Sequence, residues 1–126
     1  MEDRILLPVK RAERVAQLIK EEISGLILRS VKDPRIGFVT VTHVSLSDDL
    51  RHAKVYISLA HGDEAHRREA LLGMRSAAGF LRGELTRRLR LRYAPALAFH
   101  LDDSLERGLQ LAELLRQIKT DKTTEP

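Results

Sequence analysis

The chain predicts a single α+β domain in the order α-β-β-α-β-α, built on a three-stranded mixed sheet. Three observations carry that reading. Apolar residues recur at three- and four-residue steps in three segments, as on amphipathic helices. They alternate in short Val-, Ile- and Phe-bearing segments, as in half-buried strands. A short polar turn separates the first two strands, whereas a long helical segment separates the second from the third. The first pair is therefore antiparallel and the second parallel. With 126 residues, the chain is long enough to bury one core and too short to need two.

The first helix starts near Pro8, where a missing N–H costs nothing. Its apolar face runs through Ala12, Val15, Ala16, Ile19, Ile23, Leu26 and Ile27, and the pattern ends near Arg29. Asp33-Pro34 starts a turn, and Gly37 permits a positive φ. Phe38 to Leu46 reads as a strand whose parity slips near Thr42-His43, which implies a bulge. After the Ser47-Asp48-Asp49-Leu50 turn, Ala53, Val55, Ile57 and Leu59 alternate cleanly as the second strand.

Asp63 is placed to cap the second helix, whose stripe is Leu71, Met74, Ala78, Leu81, Leu85 and Leu89. Unbroken, that helix would be about 40 Å long, against a radius of gyration near 14 Å for a domain of this size. Gly79 lies inside it. A kink or break is therefore expected at Ala77-Ala78-Gly79, and a β-branched residue at Gly79 should cost stability there. Leu97, Phe99 and Leu101 form the third strand, and Asp102-Asp103-Ser104 offers caps for a last amphipathic helix. Residues 1–119 make the domain, and 120–126 form a polar tail expected to fray.

Charge is unevenly spread. Between Arg67 and Arg92 there are eight arginines against two glutamates, a sum of +6, whereas the whole chain carries +4. A cationic helix on an otherwise balanced domain points to a polyanion, most commonly nucleic acid. The bland reading is a solvated face with cations at a helix C-terminus; the asymmetry favours phosphate contact. Arg75 and Arg82 lie along one side of the helix, and Arg87, Arg88, Arg90 and Arg92 crowd its end. Lys10, Arg11 and Arg14 of the first helix form a second contact group. Small residues at Ala77, Ala78 and Gly79 would expose backbone N–H groups to a phosphate, or else pack tightly on the sheet. Three Phe, two Tyr and no Trp argue against rows of aromatic stacking platforms.

No reaction centre assembles from the sequence. His61, Asp63, Glu64 and His66 sit at a loop-to-helix junction, where Asp and Glu serve as caps before they serve as metal ligands. Asp48-Asp49 and Asp102-Asp103 are turn and cap acids before they are acid/base pairs. Without cysteine there is neither a disulfide nor a thiolate metal site. No catalytic residue, metal or cofactor is expected. No apolar run approaches a bilayer span, and the acidic N-terminal residues do not form a signal peptide. A cytoplasmic protein without a membrane partner is expected.

The ordered motifs resemble the bacterial ribosome-binding factor A family. They are Lys32-Asp33-Pro34-Arg35-Ile36-Gly37-Phe38-Val39-Thr40-Val41-Thr42, then Val44-Ser45-Leu46-Ser47-Asp48-Asp49-Leu50 followed by Ala53-Lys54-Val55-Tyr56-Ile57-Ser58. Ala77-Ala78-Gly79-Phe80-Leu81-Arg82, Arg90-Leu91-Arg92, Pro95-Ala96-Leu97-Ala98-Phe99 and Asp102-Asp103-Ser104 complete the series. The resemblance spans about Arg11 to Ile118. It implies a type II KH-like fold with helices on one face of the sheet, in which Ala77-Ala78-Gly79 matches the interhelical kink that replaces the Gly-x-x-Gly loop of ordinary KH domains. It further implies a non-enzymatic assembly factor, often tied to growth in the cold. Such a factor binds the 30S subunit and assists late maturation and 5′-end processing of 16S rRNA. A share of ribosomal proteins in that interface is left open, and a monomer is expected when free. Some relatives extend past the last helix, whereas this chain stops at Pro126. Two other readings stay in view: a regulator of other RNAs on the same scaffold, and a small ribonuclease using the His and Asp residues.

Overall fold

A computed structural model describes residues 11–59 and 63–124. The elements follow in the order α1 (Arg11–Arg29), β1 (Val39–Leu46), β2 (His52–Leu59), α2 (Glu64–Leu89), β3 (Ala96–Leu101) and α3 (Ser104–Thr124). Pro8, Lys10 and His61 lie outside the described residues. The sheet has the order β1-β2-β3, with β1 antiparallel to β2 and β2 parallel to β3, as the connection lengths require.

The bulge expected in β1 is present. Register shifts between Val41 and His43, so Val41 and Val44, of opposite parity, both reach the core at 4% and 5% exposure. The Thr42 hydroxyl donates to the Asp102 carboxylate, with the Tyr56 carbonyl 3.3 Å away as an alternative acceptor. The extra residue of the bulge is thereby tied to the end of β3. Gly37 adopts φ +56° at the entrance to β1, which is the conformation that makes glycine the favoured residue there.

One face of the sheet holds the core. Ile19, Ile23 and Leu26 of α1 and Met74, Leu81 and Leu85 of α2 close over Val55, Ile57 and Phe99. Each such side chain contributes roughly 1.5–3 kcal/mol when fully buried. The stripe read from the sequence is therefore the packed one. On the opposite face, three of the few rings line up across the strands. Tyr56 stands 5.9 Å from His43 and 5.5 Å from His100.

One expectation is corrected: α2 runs without interruption from Glu64 to Leu89, so there is no break at Ala77-Ala78-Gly79. Gly79 does not have a positive φ, and a Cβ built there would meet nothing within 4 Å. The length argument fails because the helix end does not need to stop at the sheet; the chain turns back from it through residues 90–95. The close approach is instead at Gly73, where a Cβ would lie 2.9 Å from Ile36 Cγ1 and 3.4 Å from Arg35 Cβ. Arg35 adds a bidentate link to Asp33 and reaches the Ser76 hydroxyl at 3.1 Å, clamping the α1–β1 loop onto α2.

The last helix, α3, is packed less closely than α1 and α2. Asp102 Oδ1 accepts from Ser104 N at its start, as the cap reading expected, and the helix continues past Lys119 to Thr124. It adds little to the face covered by α1 and α2: Leu109, Leu111, Leu114 and Leu115 are all more than half exposed. Amphipathic spacing identifies a helix but not the surface it packs against.

The two glycines of α2 give a paired test. Gly79→Ala should raise the free energy of unfolding by roughly 0.5–1 kcal/mol, because it removes a mid-helix glycine at no steric cost. Gly73→Val should lower it by roughly 1–3 kcal/mol through overpacking against Ile36. Urea unfolding of both variants beside the parent checks this, and a destabilised Gly79→Ala would restore a special backbone role for that position.

Candidate nucleic-acid interface

The cationic segment is divided by its hydrogen bonds. Asp63 caps α2 by accepting from His66 N at 3.0 Å, and that backbone bond is the main reason its carboxyl lies below the usual range. The junction acids are therefore helix-start residues, and among the described residues no three His, Asp or Glu side chains gather into a metal-binding group.

Further along, Arg87 and Arg88 share Glu84, at 2.6 Å and 3.0 Å. The Arg87 hydrogen bond, then that of Arg88, lowers the Glu84 carboxyl, and the same contact raises Arg87. Arg88 also approaches Glu22 of α1, at 3.8 Å. Arg82 turns its fork onto backbone, with Nε 3.0 Å from the Pro95 carbonyl and a terminal nitrogen 3.2 Å from that of Ala94. It fastens the segment leading into β3. These three arginines keep their charge, but their donors are partly committed inside the protein.

Ala77 and Ala78 are half-buried. Ala77 lines a shallow cleft with Ser76, Phe80 and Lys32. Because α2 is continuous here, its N–H groups are spent on helix bonds and do not form a phosphate cradle. Arg14 and Arg75 are exposed on α1 and α2.

The remaining arginines converge at the far end of α2. Arg90 is the C-cap, in the left-handed region at φ 53°, ψ 44°, with its N–H on the Thr86 carbonyl; Leu91 N donates to the same oxygen at 3.1 Å. Glycine is the usual residue in this conformation, and a non-glycine residue there costs about 1 kcal/mol or more. Leu50, in the β1–β2 turn, has φ 63°. Among the described residues these are the two non-glycine positions with positive φ, and both line one cleft of about 370 Å³. Strain of this kind collects at functional sites.

The cleft has an apolar floor that includes Val15, Leu18, Leu46 and Leu89, and a rim carrying Arg11, Arg90, Arg92, Asp49 and Tyr93. Tyr93 is about half exposed and is flanked by two guanidiniums. Arg51 lies 4.7 Å from its ring centroid and Arg92 5.5 Å, both within cation–π range. Parallel pairing produces this contact: His52 is opposite Ala96, and Ala96 N donates to the Arg51 carbonyl at 2.8 Å. Arg51 and Tyr93 were missed in the sequence. Tyr93 had a signal, a ring inside a basic run, whereas Arg51 had none without the register.

Of the twelve positions singled out in the sequence, the structure brings Arg11, Arg90 and Arg92 together. Arg14 follows Arg11 by one turn of α1 without lining the cleft; Arg75, Ala77, Ala78 and Gly79 lie further back along α2, Arg82, Arg87 and Arg88 are committed to internal bonds, and Lys10 lies outside the described residues. Arg90→Gly should raise the free energy of unfolding by about 1 kcal/mol, since it relieves the left-handed backbone. Chemical denaturation measures this, and an unchanged or lower stability would show that the Arg90 side chain supports the fold rather than burdening it.

A family model described as ribosome-binding factor A matches residues 11–115. A relative of that name from Halothermothrix orenii is 47% identical over 116 residues, covering 92% of this chain and 94% of its own. The crystal structure of ribosome-binding factor A from Thermus thermophilus superposes with a TM-score of 0.62 at 29% identity, covering 71% of this chain and 94% of that one. A homology model of the Thermus thermophilus protein, fitted into the cryo-EM map of its complex with 30S, gives 0.60 at 32% identity, over 75% and 97% of the two chains.

Proposed function

The chain belongs to the ribosome-binding factor A family, and we propose that it binds the 30S ribosomal subunit and assists late maturation of 16S rRNA, including processing of its 5′ end. It acts by occupancy and not by catalysis. The observation that carries this reading is the cluster of Arg11, Arg90 and Arg92 around an apolar cleft, with Arg51 and Arg92 both over the Tyr93 ring. The Thermus relative's placement in a 30S complex supports it.

Arginine forks at the cleft rim neutralise phosphates and release counterions, and the planar guanidinium also stacks on bases. Arg14 and Arg75 extend the cationic surface, with Lys10 as a further contact. Arg82, Arg87 and Arg88 contribute mainly to the long-range field. Binding one conformation of immature rRNA more tightly than its competitors shifts the population toward it. The protein works in the cytoplasm, as a monomer when free, and matters most in the cold, where rRNA rearrangement is slowest.

Affinity for 30S should fall steeply with salt. Replacing Arg11, Arg90 and Arg92 together by Gln should make the plot of log K against log salt shallower by roughly two to three units, at about 0.7–0.9 per phosphate contact. Replacing Arg87 and Arg88 should change it by less than about one unit. Equal slopes for the parent and both variants would remove the arginines from the interface. In lysate gradients the protein should travel with free 30S particles and not with 70S ribosomes, and purified protein should leave precursor 16S rRNA uncut.

A further inference from the structure

The cleft at the end of α2 has features that phosphate binding alone does not require. Its floor is apolar, and Leu18 is half exposed there although it lies on a helix whose neighbouring face is fully packed. A surface built only to hold phosphates needs cations, not a lipophilic recess of about 370 Å³ beside them. Two backbone positions are held in an unfavourable conformation, and both contribute side chains to this recess. A carboxylate also stands on a rim that is otherwise cationic.

That carboxylate is Asp49. Its Oδ1 accepts from the Ser47 hydroxyl at 2.6 Å and from Arg51 N at 3.0 Å. These bonds fix the side chain and hold its carboxyl below the ordinary value, the Ser47 bond most of all. Oδ2 is left to a ligand. An ionised carboxylate oxygen only accepts hydrogen bonds, so on an RNA-binding rim it repels phosphate and favours a group that donates. Exocyclic amino groups of bases are such donors.

We propose that this cleft takes one unstacked purine of single-stranded RNA. The apolar floor residues cover the base face, Asp49 Oδ2 accepts from the amino edge, and Arg11 and Arg90 hold the flanking phosphates. Sequence-specific RNA recognition commonly works on splayed bases in this way. The inference rests on the proposed rRNA-binding function and assigns to it a base preference.

The test uses the full chain and RNA nonamers of uridine whose central position is uridine, adenosine or purine riboside, the last lacking the amino group. Binding is followed at several salt concentrations, with 30S binding measured in parallel. The adenosine nonamer should bind about tenfold more tightly than the all-uridine one, within the range of a single stacked base. Purine riboside should fall between the two. Leu18→Trp, which fills the recess from a half-exposed helix position, should bring the ratio of adenosine to all-uridine affinity, measured within that variant, to about one. Asp49→Asn retains an oxygen for Ser47 and Arg51, and should abolish the difference between adenosine and purine riboside. Equal affinity of the parent for all three nonamers, or a preference that survives Leu18→Trp, would overturn the base site while 30S binding stood. Loss of the proposed function would look different: the parent would bind neither the nonamers nor 30S.

Discussion

The parallel pairing of β2 with β3 is the constraint on which the rest of this structure depends. β2 and β3 must start at the same end of the sheet, so the chain leaving Leu59 has to travel the length of the sheet before β3 can begin. α2 makes that journey, and its stripe of Met74, Leu81 and Leu85 is buried by doing so. The helix ends beside the β1–β2 turn as a result. Arg90, Arg92 and Tyr93 thereby meet Arg11, Asp49, Leu50 and Arg51, residues from much earlier in the chain. The cleft is a by-product of a topological rule: the crossover places its own C-terminal end, rich in arginine, against a turn rich in acids and hydroxyls.

Positive charge alone would not distinguish one part of α2 from another. The fold does so by local pairing. Glu84 engages Arg87 and Arg88, and the carbonyls of Ala94 and Pro95 engage Arg82. Exposed pairs of this kind contribute little to stability, in a median range of about 0–1 kcal/mol, but they orient the donors inward. Donors past Leu89 meet an aromatic ring and a cleft instead. The left-handed cap at Arg90 fits the same account. A glycine would terminate the helix at lower cost, and arginine there gives up stability for a charged fork at the rim.

Periodicity made most of the scaffold legible. The buried faces of α1 and α2, the bulge at Thr42, the positive φ of Gly37, the caps at Asp63 and Asp102, and the parallel return to β3 all follow from spacing and turn chemistry. What was not legible depended on contacts between distant segments. Gly79 attracted attention because it lies mid-helix, yet Gly73 is the glycine that faces Ile36, and only the docking of the α1–β1 loop reveals that. The α3 stripe was clear, but its exposure could not be read from the stripe itself. Among the arginines of α2, the pairing of Glu84 with Arg87 and Arg88 was open to helical spacing, whereas the turn of Arg82 onto the carbonyls of Ala94 and Pro95 was not. Arg51 became part of the site only once β2 and β3 were in register.

In the proposed 30S complex the cleft end of α2, rather than the ion-paired length of the helix, faces rRNA. Ultraviolet crosslinking of the purified 30S complex, followed by mass spectrometry of the protein's peptides, should give 16S rRNA adducts on Tyr93 and on the peptides carrying Leu50–Arg51 and Arg90–Arg92. Adducts confined to the outer face of α2 between Arg67 and Arg88, or to α3, with none at Tyr93, would rule that placement out.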